Sequence, residues 1–159
     1  MEGIWQEIYD WNESLFACHM VFDPLFGQFV RREFFLANAP KFGDTLVPFF
    51  VNQMQTYFQI NKGSMDDMFH VCLGNDPQFA DYNRRLMRIW TTKWLEPTIK
   101  ALRDFMGIYA LLPNGSVDKK SITESLQRTV EDWIEDYARK IDFKADGSAI
   151  VNSILTGLK

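Results

Sequence analysis

The sequence predicts an all-α chain, and three observations carry that prediction. Apolar residues recur at steps of three and four over most of the length. Helix-opening signals punctuate the chain: Asp23-Pro24, Asp76-Pro77, and Ser121-Ile122-Thr123-Glu124. In each, a side chain able to take a free backbone N–H precedes a residue suited to the first turn. No run of alternating apolar and polar residues competes with the helical pattern.

The elements follow in order. Ile4, Ile8, Trp11, Leu15, Cys18 and Phe22 define the apolar face of a first helix. Asp23-Pro24 is expected to restart the helix, which then runs to about Ala39, where Pro40 and Gly43 end it. A third stretch covers Asp44 to Asn75, with Lys62-Gly63-Ser64 as a weak point in its middle. Asp76 opens the longest helical tract, to about Leu111. Pro97 inside it removes a backbone bond and predicts a kink. Leu112-Pro113-Asn114-Gly115-Ser116 reads as a linker. The capping box at Ser121 opens a helix with Ile122, Leu126, Val130, Trp133, Tyr137 and Ile141 on one side. Asp146 opens a last helix with Ile150, Ile154 and Leu158 in line. The expected organisation is a long-helix region over 1–111, a linker over 112–120 and a helical extension over 121–159.

Composition sets interior against chemistry. The chain holds 14 Phe, 5 Trp, 5 Tyr and 7 Met but only 2 His and 2 Cys. Each aromatic buries roughly 150–250 Å², so packing and partners, rather than a self-contained active site, dominate the reading. At 159 residues one domain can bury about two thirds of its unfolded surface. A net charge of −4 argues against nucleic acid, whose binders carry a basic surplus. Cys18 and Cys72 lie within helical patterns and read as reduced, buried thiols. The start, Met1-Glu2-Gly3-Ile4-Trp5, has no basic region before an apolar run, and nothing approaches the ~20 apolar residues of a membrane span. The expectation is a soluble, cytoplasmic chain that engages neither nucleic acid nor membrane.

Few residues invite chemistry. Asp67 and His70, three apart, match the carboxylate-x-x-histidine pair of di-iron bundles. The only other histidine, His19, has Phe16 three residues before it, so no second pair forms. His70 reads instead as a surface or interface residue. Cys18 and His19, adjacent on a helix, point about 100° apart, too far for a nucleophile and its base. Arg84, Arg85 and Arg88, with Lys93, interleave with Trp90 and Trp94 as a solvated or subunit-facing stripe. Glu33 falls in register with Phe26, Val30 and Ala37. If buried, it needs an arginine partner from another helix or subunit; the alternative is exposure. Phe49, Phe50, Tyr57 and Phe58 form an aromatic stripe that fits either a core or an apolar interface.

A resemblance runs through the ordered set Trp5-Gln6-Glu7, Phe22-Asp23-Pro24-Leu25-Phe26-Gly27, Arg32-Glu33, Phe42-Gly43-Asp44-Thr45-Leu46-Val47-Pro48, Asp81-Tyr82-Asn83 and Trp90-Thr91-Thr92-Lys93-Trp94-Leu95-Glu96-Pro97. With these the chain resembles the C-terminal half of the β subunit of the hydroxylase of soluble bacterial multicomponent monooxygenases. The tail, with Trp133, Tyr137-Ala138, Lys140-Ile141 and Leu155-Thr156-Gly157-Leu158-Lys159, is most similar to the propane-type members. The resemblance implies a ferritin-like helical subunit with two long core helices plus C-terminal helices. It implies no catalytic, cofactor-binding or metal residue in this chain, the di-iron centre lying in a partner α subunit. It further implies a place in the dimer core and at the docking surface for a regulatory protein and an NADH-dependent reductase. The subunit-interface candidates are Arg32, Glu33, Arg84, Arg88, Trp90 and Trp94. Other readings are a stand-alone helical module binding an apolar peptide or ligand, and a degenerate enzyme with metal at Asp67 and His70.

Members of that family are about twice this length, so either this chain is a fragment or the gene is split and a second chain supplies the other half. The apolar faces would then be satisfied only in a complex. The isolated chain is predicted to be unstable or aggregated; a cooperative thermal melt of a monomer would refute this.

Overall fold

Asp10 opens the first helix of the structure, its carboxylate accepting the backbone N–H of Asn12 at 2.7 Å and of Glu13 at 3.4 Å. The computed structural model describes residues 10–74, 76–111 and 118–158, and every regular element among them is helical. Residues Ile4 and Ile8 of the first apolar face, the Trp5-Gln6-Glu7 motif and most of the expected linker fall outside the described residues.

Helix α1 covers 11–38. It begins as an α-helix over Trp11–Phe16 and widens into π turns over Ala17–Gly27 and Val30–Leu36. The expected restart at Asp23-Pro24 does not occur. Proline clashes with the preceding turn of a regular α-helix, but the i→i+5 spacing of a π turn is wider, and Pro24 is buried within it. Asp23 caps nothing. Its carboxylate instead accepts from Arg31 Nη1 at 2.8 Å, two turns further on. The buried side of α1 also differs from expectation. Phe16, Ala17, Met20, Val21, Leu25 and Phe29 face the core, while Trp11 is exposed and Leu15, Cys18 and Phe22 are half-buried. This helix is apolar on two sides, so its period is compatible with either, and packing chose the side that meets Trp133.

A 3₁₀ turn at Ala39–Phe42 ends in Gly43, whose φ of 74° is the left-handed conformation that glycine adopts without strain. Asp44 then caps α2, Leu46–Gly74, accepting from the N–H of Leu46 and Val47. This helix runs unbroken through Lys62-Gly63-Ser64, so the expected weak point is continuous helix. Asp76 caps α3, Pro77–Tyr109, as its sequence predicts. Helix α3 continues through Pro97, where Lys93 and Trp94 in the turn before it meet Glu13 of α1.

Helix α4, Lys119–Trp133, is capped by Asp118 rather than Ser121. The Asp118 carboxylate, three residues upstream of Ser121, takes the orphan N–H of Lys120 first, which leaves Ser121 inside the helix. Helix α4 continues through a π turn at Ile134–Ala138 and a 3₁₀ turn at Arg139–Ile141. Asp142 ends it in the left-handed conformation, φ 56°. Asp146 caps α5, Gly147–Leu155, and a 3₁₀ turn at Thr156–Leu158 follows. All six residues of the expected α4 face are buried, as are Ile150, Ile154 and Leu158.

One hydrophobic cluster joins α1, α3, α4 and α5, and Phe69 of α2 enters it. Trp133 lies at its centre, and its indole N–H donates to the carbonyl of Met20 at 2.8 Å. An ordinary α-helix would pair that carbonyl with residue 24, which is proline and has no N–H to give. The tail packs on α3 at close range. A methyl on Gly157 would lie 2.1 Å from the Arg103 carbonyl oxygen, while the Arg103 guanidinium holds Ser153 Oγ at 2.7 Å.

Gly27 lies between Asp23 and Arg31 on α1. A Cβ there would sit 2.1 Å from Asp23 Oδ1 and 3.0 Å from Arg31 Nη1. Gly27→Ala should therefore destabilise the fold by about 1–3 kcal/mol, although alanine is the better helix former. Gly63→Ala, with nothing within 4 Å of the added methyl, should stabilise by about 0.5–1 kcal/mol. Urea melts of the two variants check the contrast, and a Gly27→Ala protein no weaker than the parent would show that the pair is dispensable.

Candidate functional site

The sequence-predicted site residues fall into two groups. Arg84, Arg88 and Trp94 are engaged within the chain. Arg88 Nη1 donates to the Ile141 carbonyl at 3.4 Å, and Arg84 lies 3.7 Å from Asp142. Two cations thus sit at the C-terminal end of α4, where the helix dipole favours positive charge. Trp94 is buried, and its indole donates to Glu13 Oε1 at 2.7 Å, a carboxylate it shares with Lys93. Trp90 is half-buried, its ring 5.5 Å from that of Phe16. Arg32 is more open, 3.6 Å from Asp132. Glu33 is half-buried, and among the described residues no arginine or lysine pairs with it. The buried charge lies two positions away, at Arg31.

Arg31 is 9% exposed, paired with Asp23 and positioned 5.5 Å from the Phe58 ring. The sequence reading did not find this pair, because residues eight apart on a helix normally lie two turns from contact. Only the glycine between them, at the midpoint of that interval, hints at it. The Cys18 thiol is held above its ordinary pKa by burial and by the nearby Asp23 carboxylate. Asp67 and His70 both lie on the exposed side of α2. Among the described residues no three His, Cys, Asp or Glu side chains converge as a metal site would require. No helix there is long and apolar enough to cross a membrane.

The unusual surface is α2. Its attachments to the rest of the chain combine apolar packing in its second half, where Phe69 is buried in the core with Met65, Met68, Cys72 and Leu73 against it, with polar contacts. Gln55 exchanges side-chain hydrogen bonds with Gln28 at 3.2 Å, Lys62 pairs with Asp136, and Asp66 with Lys140. Asn83 of α3 donates to the Cys72 carbonyl at 3.0 Å. Of its 29 residues only Val51 and Phe69 are buried. Its open side is apolar: Leu46 is 68% exposed, Phe50 60% and Tyr57 68%, with Phe49, Met54 and Ile60 alongside. Between Asp44 and Lys62 no residue carries a charge. The core alternative for Phe49, Phe50 and Tyr57 is thus overturned; only Phe58 of that stripe turns inward, to half-burial. Over Leu46 to Ile60 a large part of the solvent side is therefore apolar, where a surface helix carries polar residues.

Residues 1–76 match the family described as Methane/Phenol/Alkene Hydroxylase. Over its whole length the chain is 65% identical to the methane monooxygenase component A beta chain of Methylococcus capsulatus (strain Bath). It is 39% identical to that of Methylosinus trichosporium, again over its whole length. The chain is thus similar to these hydroxylase β chains. It spans 41% of the length of each of these two relatives. The small subunit of the propane 2-monooxygenase hydroxylase component of Mycolicibacterium goodii is 27% identical over 101 residues, 64% of this chain and 27% of that one. The likeness is therefore to the methane type, and the expected propane-type affinity is overturned. The tail residues behind that expectation, Trp133, Tyr137, Ile141 and Leu158, are buried. Packing demands such residues of any chain with these helices, so they cannot tell one type from another. Among the described residues the chain is all-α, a ferritin-like helical arrangement.

A polar cavity of about 120 Å³ separates α1, α2 and α4, lined in part by Gln28, Lys62, Asp136 and Tyr137. The Tyr137 hydroxyl is buried without a hydrogen-bond partner. Burial, and then the charges of Asp136, Asp66 and Asp23, raise its pKa well above the ordinary phenol value. In the unfolded chain it ionises near pH 10. The folded protein therefore keeps a proton that the unfolded chain releases, and stability falls as pH rises through and above 10. Tyr137→Phe should change stability by no more than about 0.5 kcal/mol at neutral pH, since no bond is lost. It should also flatten the decline between about pH 10 and 12. Denaturant melts across that range check both; an equally steep decline in the variant would exclude Tyr137 as its source.

Proposed function

We propose that this chain is a structural, non-catalytic part of the hydroxylase of a soluble di-iron monooxygenase, and that the open side of α2 is its principal subunit interface. The observation that carries the reading is the exposed apolar stripe on the first half of α2. A charge-free apolar stripe with Phe50, Met54 and Tyr57 exposed is what an obligate interface presents when its partner is removed. The methane monooxygenase names of the relatives supply the reaction class, oxidation of a hydrocarbon with O₂. In this reading an iron-bearing α subunit holds the cofactor and the substrate pocket. This chain's own residues provide shape, burial and rigid docking, and no step of the chemistry runs through them.

The remaining partners follow from the same reading. A second stretch of β-chain sequence packs against these helices, and a regulatory protein and an NADH-dependent reductase dock on the assembled surface. Arg32, Glu33 and Trp90, which keep exposed area, contribute to the rim, with Arg84 and Arg88 beside the α4 terminus. Trp94 acts from beneath by fixing Lys93 and Glu13. Assembly takes place in the cytoplasm. The 121–159 extension serves to brace α1 and α3 from behind, leaving α2 free to bind.

Phe50→Asp and Met54→Asp each place a charge on the open face without touching the core. Each should weaken association with the iron-bearing subunit by about 2 kcal/mol or more and leave the helical content of the chain unchanged. Lys100→Glu, on the exposed side of α3, should leave association intact. Native mass spectrometry with iron analysis on complexes pulled down through the chain reads all three. A parent chain recovered as a lone, iron-free monomer would overturn the subunit reading. Recovery of both aspartate variants in an intact iron-bearing complex would overturn the role of α2.

A further inference from the structure

Helix α2 is continuous, yet its two halves are held differently, and Gly63 divides them. Every α2 residue that reaches the hydrophobic cluster follows the glycine: Met65, Met68, Phe69, Cys72 and Leu73. No residue of 46–62 takes part in it. On either side of the glycine an ion pair pins the helix to α4, Lys62 with Asp136 and Asp66 with Lys140. Before that point α2 is held by the burial of Val51, by the amide exchange between Gln55 and Gln28, and by the Phe58 ring 5.5 Å from the Arg31 guanidinium.

Packing does not call for a glycine at 63. Nothing lies within 4 Å of the Cβ it lacks, and only proline is a poorer helix former. Ser64 beside it donates Oγ–H to the Ile60 carbonyl at 3.2 Å, a bond back to the preceding turn that tends to bend a helix. The segment meets a second glycine at its other end, Gly43, which also has open space around it. Beneath the segment lies the seam where the closed packing costs most. Arg31 Nε and Nη2 and the Tyr137 hydroxyl are buried without partners. Phe58, Gln59 and Lys62 form the α2 wall of the polar cavity that Tyr137 lines. Unpaired buried polar groups favour any state that returns them to water.

We propose that residues 46–62 form a lever that swings away from α1 between joints at Gly43 and Gly63, hydrating Arg31 and Tyr137 as it opens. The half after Gly63 stays in the core and serves as the fixed end. Leu46, Phe50 and Tyr57, on the outer side of the lever, move with it as one piece. The lever rests on contacts within the chain and does not depend on the subunit reading.

Amide hydrogen exchange followed by mass spectrometry tests this on the full chain, in its complex where it forms one. The expected result is that residues 46–60 exchange as one block, at least tenfold faster than 65–74. Gly63→Ala should slow that block about fivefold, the factor that separates the two residues in a helix, and leave 65–74 unchanged. Gln55→Ala removes the amide latch and should speed the block about threefold or more, again without moving 65–74. Equal protection of the two halves would overturn the lever, as would exchange that fades gradually from Asp44 instead of in a block. A Gly63→Ala protein whose block is unchanged, or whose slowing is spread evenly over α2, would do the same.

Discussion

The hydrogen bond from the Trp133 indole to the Met20 carbonyl is the interaction on which the rest of the fold depends. It joins residues 113 positions apart at the centre of the core, where both partners are buried. Pro24, one turn below Met20, has no N–H to give that carbonyl in the manner of an ordinary α-helix. Trp133 supplies one and at the same time brings α4 against the π segment of α1. Once α4 is seated there, α5 and the tail can close on α3, through Arg103 and the tight approach of Gly157.

The same π segment explains the Asp23–Arg31 pair. Two charged side chains reach one another along the helix because Gly27 offers no side chain between them. The guanidinium remains mostly buried with Nε and Nη2 unmatched, so the pair is better read as fixing how α1 is turned than as a large source of stability. Its placement near Phe58 ties that choice to α2. Local widening of one helix therefore sets the orientation of its neighbours.

Much of this was legible in the sequence, and the failures share a cause. Helix existence, the caps at Asp76 and Asp146, the stop at Gly43 and the whole buried face of α4 could be read because each rests on local geometry or on a single clear stripe. The restart at Asp23-Pro24 could not, because its outcome depended on Trp133, far away in sequence. The side of α1 that faces inward was equally opaque in a helix apolar on two sides. Asp118 displaced Ser121 as a cap since two adjacent candidates competed for one set of N–H groups. For α2, period alone marked a stripe without saying whether protein or solvent would meet it. That question is settled by Gln55, Lys62 and Asp66, whose partners lie on α1 and α4.

The uneven attachment of α2 bears on the order of events in the cell. Ion pairs and amide contacts at half-exposed positions hold a helix more weakly than a packed apolar seam does. The first half of α2 can therefore settle late and open early, while the core that holds Phe69 is already formed. A newly made chain would spend that interval displaying an uncharged aromatic stripe, the kind of surface that chaperones and stray chains also recognise. Synthesis of its partner close in time and place would shorten the interval, so the timing of expression becomes a determinant of yield as real as any contact in the folded molecule.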